Sequence, residues 1–243
     1  MTYRDEHLNA KRELPVEGSP QCVGVVMDGN RRWAKRNGLP TVEGHRVGYN
    51  KLNNLMQWAK EEKIPYVIVY AFSSENWNRS EEEVSALMGL FRHFFRSQIN
   101  YAKRNNVKIV FIGERERLPK DIQTGMTRIE RETQHNTALT LVIAAPYGSR
   151  GEIVDAINRI LDTQGGHDHI TEDIVSGYLW TSGIPDPDLI IRTGGRRRLS
   201  NFLLWQAAYA ELYFSDTLWP DFVRTEFTKV LYDYSLRKRS FGK

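Results

Sequence analysis

The chain has 243 residues, of which 40% are hydrophobic and 26% charged, and it carries a net charge of +4 with a pI near 9.1. This length can bury a sizeable core and favours one large domain, with two small domains as the alternative. The mild basic excess suits a partner that bears phosphate, but it does not require nucleic acid.

The cysteine content and the N-terminal sequence limit the cellular environments that we expect for the protein. Cys22 is the only cysteine, so the sequence excludes a disulfide framework and a cysteine-based zinc site and favours a reducing, cytosolic environment. Residues 1–20 lack the apolar segment of a signal peptide, and we expect a flexible arm there and one domain over residues 21–243. No stretch approaches the roughly 18 apolar residues of a membrane span, so we expect a soluble, cytoplasmic protein with at most peripheral membrane contact.

Hydrophobic patterning predicts alternating strands and helices after this arm. Short apolar runs rich in β-branched residues are typical of buried strands, and they lie at 22–27, 66–72, 107–113, 139–145 and 188–193. Helical patterns occupy about 44–62, a segment that begins at a Ser80–Glu83 capping box, a segment to about 135, then 151–161 and about 224–236. The sequence therefore predicts a single α/β domain with a mostly parallel central sheet flanked by helices.

Polar segments follow directly after four of the predicted strands. They are Asp28, 73–79, 147–150 and 193–198. Because ligands of such folds bind at the carboxyl ends of the strands, we expect these segments to share one edge of the sheet.

The segment Asp28–Arg32, DGNRR, combines a carboxylate, a glycine and two guanidinium groups at a predicted helix start. Helix N-termini and arginine side chains bind phosphate. A carboxylate would repel a bare diphosphate unless Mg²⁺ bridged them, and Mg²⁺ typically takes one or two carboxylates plus substrate phosphates. Taken alone, the pattern favours a turn that binds no ligand. The alternative is a site for a metal ion and a diphosphate.

Two other clusters have competing interpretations. The arginines of 192–201, RTGGRRRLSN, suggest nucleic acid, but no basic stripe rich in aromatic residues accompanies them, so a small phosphate-bearing molecule is favoured. His167-Asp168-His169 lies in a Gly/Asp-rich segment and is favoured as a loop over a metal site. The apolar face of the helix after Ser80 fits ordinary core packing and a hydrophobic tunnel between sheet and helices equally well.

Five motifs occur in order along the chain: MDGNRRWA (27–34), GHRVG (44–48), YAFSSENWNRS (70–80), AAPYGSR (144–150) and RTGGRRRLSNFLLWQAAYAELYF (192–214). With them, the chain resembles the cis-prenyltransferase family over about residues 20–243, most closely its bacterial undecaprenyl diphosphate synthases. The resemblance implies a homodimer and an Mg²⁺-dependent reaction. Isopentenyl diphosphate would be added to an allylic diphosphate, usually farnesyl diphosphate, to give a long Z,E-polyprenyl diphosphate that carries cell-wall precursors.

The resemblance also implies roles for individual residues. Asp28 would be the catalytic carboxylate and an Mg²⁺ ligand, Glu211 a second Mg²⁺ ligand, and Asn76 would assist proton removal. The allylic diphosphate would be held by Gly29, Asn30, Arg31 and Arg32, with Trp33 and His45 beside it. The substrate wall would consist of Ser73, Ser74, Glu75, Trp77 and Arg79. Isopentenyl diphosphate would be bound by Arg192, Arg198, Leu199 and Ser200.

Several positions depart from the family pattern. Arg31 stands where glycine is usual, Thr41 where an arginine is expected, and Pro146 alters the usual NYGGR. Arg196 replaces a glutamate, and Arg197 replaces a histidine that many members carry. These departures bear on the preferred primer and on product length more than on the fold.

Three alternatives to a long-chain synthase follow. Thr41 and Arg196 are compatible with a short-chain synthase or with one that joins two allylic diphosphates irregularly. A non-catalytic partner subunit is disfavoured, because such relatives have generally lost the Asp and Arg that are present here. Nucleic-acid binding rests only on Arg196–Arg198 and ranks lower.

Overall fold

The structure, a computed structural model, describes residues 18–163 and 169–237. Nearly all of the predicted N-terminal arm, together with His167 and Asp168, lies outside these ranges. The strands are β1 (Cys22–Val26), β2 (Tyr66–Tyr70), β3 (Val107–Ile112), β4 (Leu139–Ala144), β5 (Leu189–Arg192) and β6 (Glu211–Phe214). The α-helices are α1 (Asn30–Arg36), α2 (Thr41–Glu61), α3 (Glu81–Asn105), α4 (Lys120–Thr133), α5 (Ser149–Leu161), α6 (Glu172–Tyr178) and α7 (Arg224–Ser235).

The strands form one parallel sheet in the order β3-β4-β2-β1-β5-β6. This confirms the predicted α/β class and all five predicted strands. The chain starts in the middle of the sheet and returns to it on both sides of β1. The carboxyl ends of β1, β2, β4 and β5 are therefore neighbours, and the polar segments that follow them meet.

Alternation along β2 shows how the sheet separates two cores. Val67 and Val69 are buried against α2, α3, α4 and α7, whereas Ile68 is buried on the opposite face. The opposite face is covered mainly by the irregular segment 199–210, including Phe202 and Leu203, and α5 and α6 pack on each other beside it. Each fully buried side chain of this kind stabilises the fold by about 1.5–3 kcal/mol.

Helix boundaries follow local chemistry. Ser80 accepts a hydrogen bond from the Glu83 N–H at 3.4 Å and begins α3, as the capping pattern predicts. Asn106, with φ of +55°, ends the same helix in the left-handed conformation that asparagine tolerates. Within the two described ranges, no helix is both long enough and apolar enough to cross a membrane.

Candidate active site

Four segments meet at the carboxyl edge of the sheet. The segment after β2 forms a 3-10 helix, Ser74–Asn78, and the Ser74 N–H donates to the Tyr147 carbonyl after β4 at 2.9 Å. Thr193, after β5, donates from its hydroxyl to the Asp28 carbonyl at 2.8 Å. The structure thus brings together the segments that the sequence predicts at one edge.

The Asp28 carboxylate is the centre of this edge. The Arg192 Nη2 donates to Asp28 Oδ2 at 2.9 Å, and the Arg32 Nη2 donates to Asp28 Oδ1 at 3.1 Å. Arg32 also donates to the Gly194 carbonyl at 2.6 Å, which fixes its guanidinium group against the loop after β5. Because the Arg192 side chain is only 6% exposed, its ion pair with Asp28 is partly desolvated and strongly directional.

Gly29 allows the chain to turn from Asp28 into α1. Its φ is +119°, and an added Cβ would lie 2.9 Å from the Leu218 Cα. A residue with a side chain would be strained by both the backbone conformation and this contact. The glycine is therefore required for Asp28 and Arg32 to face each other across the turn.

The loop of residues 194–203, called here the cationic loop, is organised by Arg192. The Arg192 Nη1 donates to the Arg198 carbonyl at 2.5 Å and to Ser200 Oγ at 2.7 Å. Arg198 Nε donates to the same Ser200 hydroxyl at 3.2 Å. Arg196, Arg197 and Arg198 are all exposed, so the positive charges of this loop face solvent. This arrangement is suited to an anion with several oxygens.

Glu83, in α3, lies close to three basic side chains. Its Oε1 accepts from Arg79 Nη1 at 2.7 Å and lies 3.2 Å from His45 Nε2 and 3.8 Å from Arg31 Nε. Burial lowers the pKa of His45, and the nearby Arg79 and Arg31 charges add to this effect against the opposing Glu83 contact. Sequence reasoning recognised Glu83 only as part of a capping box. The spacing of four residues from Arg79 was the available signal.

The predicted wall residues occupy the 3-10 helix after β2. The Ser73 N–H donates to Asn76 Oδ1 at 3.1 Å, so the Asn76 side chain is oriented by its own turn. Trp77 packs edge-on against Phe72, with 4.9 Å between ring centroids, and Arg117 lies 5.9 Å from the Trp77 ring. The Trp77 Nε1 is buried and has no hydrogen-bond partner within the described part of the chain.

Two predicted site residues are directed elsewhere. The Trp33 Nε1 donates to Asp221 Oδ1 at 2.7 Å, which turns the indole toward the 3-10 helix Trp219–Asp221. Leu199 is half-buried and packs with the core on the far face of the sheet. The structure therefore does not bring either side chain into the charged cluster around Asp28.

An apolar pocket lies between the sheet and helices α2 and α3. It encloses about 620 Å³ of empty space including its open side, and Asn30 and His45 are its polar members. Its other lining residues are Met27, Gly48, Tyr49, Leu52, Ala71, Leu87, Leu90, Phe91, Phe94, Ile143 and Trp219. The Asn30 Oδ1 is buried, and no donor to it occurs among the residues described. Met27 and Asn30 flank Asp28 in sequence, so the pocket adjoins the charged cluster.

The same residues limit how a metal ion could be bound. In the described ranges, no three His, Cys, Asp or Glu side chains form a group that could hold a metal. Asp28 alone fits the role of the one carboxylate that Mg²⁺ uses with substrate phosphates. Glu211 begins β6, pairs in register with Leu189 and forms an ion pair with Arg237. It lies three residues, or about 10 Å, before the carboxyl end of its strand, so one chain does not bring Glu211 to Asp28.

A buried carboxyl supports the segment after β4. Glu152 is fully buried and accepts hydrogen bonds from the Tyr147 hydroxyl and, at 3.1 Å, from Gln206 Nε2. Burial raises the pKa of Glu152 in spite of these donors. Because Gln206 follows the cationic loop, this contact links α5 to the chain that leaves that loop.

The sequence is similar to those of known proteins. A family model described as “Putative undecaprenyl diphosphate synthase” matches residues 26–242. The isoprenyl transferase of Agrobacterium fabrum is 49% identical over 227 residues, which cover 92% of each chain. The isoprenyl transferase of Fusobacterium nucleatum is 45% identical over 223 residues, covering 92% of this chain and 96% of that one.

Two solved structures are similar to the whole fold. The lavandulyl diphosphate synthase of Lavandula x intermedia, in complex with dimethylallyl diphosphate, has a TM-score of 0.88 and 34% identity. The comparison covers 93% of this chain and 100% of that one. A probable undecaprenyl diphosphate synthase from Campylobacter jejuni has a TM-score of 0.79 and 33% identity, over 92% and 99% of the two chains.

Proposed function

The chain belongs to the undecaprenyl diphosphate synthase family of cis-prenyltransferases, and on that premise we propose that it elongates an allylic diphosphate with isopentenyl diphosphate. Farnesyl diphosphate is the expected primer, and the expected product is a long Z,E-polyprenyl diphosphate such as undecaprenyl diphosphate. The observation that carries the proposal is the position of Asp28. Its carboxylate bonds Arg192, which also holds the cationic loop, and it adjoins an apolar pocket that is lined in part by Met27 and Asn30.

The proposed reaction balances in three changes. The bond between the allylic carbon and the diphosphate oxygen breaks, and the diphosphate leaves with the electron pair. The double bond of isopentenyl diphosphate supplies the electrons of the new carbon–carbon bond. A proton then passes from the neighbouring carbon to the released diphosphate, and the electrons of that carbon–hydrogen bond form a new double bond in the Z configuration.

The chain's own residues support these changes by position and charge. Arg32, with Gly29, Asn30 and Arg31, is proposed to hold the allylic diphosphate. Arg192, Arg198 and Ser200 are proposed to hold isopentenyl diphosphate, because both guanidinium groups already donate to the Ser200 hydroxyl. Guanidinium groups fixed before the reaction stabilise the leaving diphosphate without rearranging. Asn76 keeps its proposed role in proton removal.

Mg²⁺ is proposed as the cofactor, with Asp28 as its protein ligand. If Asp28 held the ion together with substrate phosphates, the negative charge of the leaving diphosphate would be neutralised there. Arg32 and Arg192 orient the Asp28 carboxylate for this role by holding one oxygen each. Glu211 of the same chain is too distant, so its proposed part in metal binding depends on the proposed homodimer.

The growing hydrocarbon is proposed to occupy the apolar pocket. Its lining from α3, including Leu87, Leu90 and Phe91, would then act as a tunnel wall and bound the product length. Arg31 is proposed to supply the positive charge that Thr41 lacks, since it is 60% exposed and lies on the same side as Arg79 and His45. A cytoplasmic location with peripheral membrane contact at product release completes the proposal.

A short-chain or irregular synthase is the second candidate. It is supported by the similarity to the lavandulyl diphosphate synthase, whose structure holds dimethylallyl diphosphate, a short allylic diphosphate. The assembled set of Asp28, Arg192, Arg198 and Ser200 argues against a non-catalytic subunit.

A product assay separates these functions. Purified protein is incubated with labelled isopentenyl diphosphate, Mg²⁺, detergent and one primer at a time, and the dephosphorylated products are resolved by length. Long prenols from farnesyl diphosphate are expected. Turnover only with dimethylallyl or geranyl diphosphate would select the second candidate, and no incorporation with any primer would reject both.

A further inference from the structure

Asn201 lies where three of the segments at the carboxyl edge meet. Its backbone carbonyl accepts from the Ser149 N–H at 2.8 Å, and its Oδ1 accepts from the Arg150 N–H at 2.9 Å. Its Nδ2 donates to Glu75 Oε1 at 3.2 Å. One residue of the cationic loop is therefore bonded to the start of α5 and to the 3-10 helix after β2.

The backbone of this residue is unusual. Asn201 has φ of +64° and follows Ser200 at +52°, and asparagine is among the few residues that adopt this region readily. Opposite it, a Cβ on Gly148 would lie 2.7 Å from Asn201 Nδ2 and 3.2 Å from Ser74 Oγ. The glycine therefore lets the two loops approach closely enough for the asparagine amide to bridge them.

The two N–H groups that Asn201 accepts are the first of α5. Gly148, which precedes the helix, has no side chain that could cap them. The cap comes instead from Asn201, which follows Arg150 by 51 positions in the chain. The hydrogen bond from the Arg150 N–H to Oδ1 consequently fixes the orientation of the Asn201 amide, and its Nδ2 points toward Glu75.

The position of Glu75 matters because its partner Asn201 follows Ser200, whose hydroxyl accepts hydrogen bonds from Arg192 and Arg198. Burial raises the pKa of Tyr70, the Glu75 charge adds to that effect and the Arg192 charge opposes it, so both charges act on one hydroxyl. That hydroxyl donates to the Tyr147 carbonyl at 3.1 Å and lies 3.4 Å from the Ser200 carbonyl. A Glu75 carboxylate released from Asn201 would be free to turn toward the arginines that are proposed to bind isopentenyl diphosphate.

We propose that Asn201 is a positioning residue that holds the Glu75 carboxylate away from Arg192 and Arg198 and so keeps the isopentenyl diphosphate site open. This inference rests on the proposed function of that site. It differs from a purely structural cap, because the Nδ2 donor keeps the substrate site open through Glu75 while the Oδ1 acceptor caps α5.

The test exchanges the amide donor of Asn201 and the carboxylate acceptor of Glu75 in two steps. Asn201→Asp keeps the acceptor for the Arg150 N–H but places a second carboxylate against Glu75. We expect it to raise the KM for isopentenyl diphosphate by about five- to tenfold, as for one hydrogen bond to an exposed charged group, and the KM for the primer by less than about twofold. The double variant Asn201→Asp/Glu75→Gln restores an amide-to-carboxylate bond in the reverse direction. We expect it to recover most of the lost affinity.

Controls separate this inference from folding and from the proposed function. Asn54→Asp adds the same negative charge on an exposed face of α2 and should leave both KM values unchanged. Melting temperatures and calorimetric binding of isopentenyl diphosphate are measured for every variant. A double variant no better than Asn201→Asp would overturn the inference alone. Wild-type protein that binds isopentenyl diphosphate but makes no product would overturn only the proposed function, and wild-type protein that does not bind it would overturn both.

Discussion

Asp28 and Arg192 form an ion pair across the ends of two adjacent parallel strands, with 2.9 Å between Asp28 Oδ2 and Arg192 Nη2. The register places Val26 beside Arg192, so the chain needs only to turn back after β1 for the two charges to meet. The same arginine holds Ser200 and the Arg198 carbonyl. One buried guanidinium group therefore connects the proposed metal ligand with the cationic loop.

Replacement of Asp28 should separate catalysis from folding. We expect Asp28→Asn and Asp28→Ala to lower kcat by at least about 100-fold, the effect of losing one positioned electrostatic group. The loss of stability should be about 1–3 kcal/mol, below that for a fully buried pair because Asp28 is 29% exposed. Turnover assays and chemical unfolding measure the two effects. Full activity in either variant would reject the assigned role.

The turn after Asp28 gives a prediction about stability. Gly29→Ala should lose about 1–2 kcal/mol from its left-handed backbone and more from the contact with the Leu218 backbone. Gly38→Ala is the matched control, because its φ is +66° but an added Cβ meets nothing within 4 Å. Urea unfolding should rank Gly29→Ala well below Gly38→Ala. Equal losses would show that the Leu218 contact is easily relaxed.

The sequence predicts those parts of the fold that local patterning determines. The run at 22–27 and, apart from Thr140, the run at 139–145 lack polar side chains because central parallel strands are buried on both faces. β6 was not predicted as a strand because its four residues lie at the sheet edge, where a polar residue such as Glu211 is tolerated. α6 was missed because seven residues carry too few turns for a helical period.

The candidate site likewise contains residues that the sequence predicts and residues that it does not. Asp28 and Arg192 were predictable, since strand ends and charge place them together. Asn201 and Glu83 were not, because their partners come from other segments: Glu75 and Arg150 for Asn201, and chiefly Arg79 and His45 for Glu83. Trp33 shows the converse, since a motif position gave no sign that the indole bonds Asp221.

The apolar pocket predicts how product length responds to α3. Phe91→Ala removes a ring from the pocket lining and should shift the product distribution toward longer prenols, because a larger pocket accommodates more of the chain. Arg96→Ala, on an exposed position of the same helix, is the control and should leave the distribution unchanged. Chromatography of the dephosphorylated products measures both. An unchanged distribution for Phe91→Ala would show that this residue does not limit the chain.

Glu152 makes the stability of the protein depend on pH in a defined direction. Burial raises its pKa in the folded state above the ordinary value of 4.5, so the folded protein holds this proton more tightly than the unfolded chain. The stabilisation of the folded state by this bound proton is complete below pH 4.5 and is lost as pH rises through the folded-state pKa of Glu152. Glu152→Gln keeps an oxygen that can accept from Gln206, but it cannot ionise. Relative to the wild type, the free energy of unfolding of this variant should therefore increase from pH 5 to pH 8. Glu116→Gln, at an exposed position, should run parallel to the wild type. Urea unfolding at each pH measures the differences, and a constant difference for Glu152→Gln would mean that Glu152 does not change ionisation within this range.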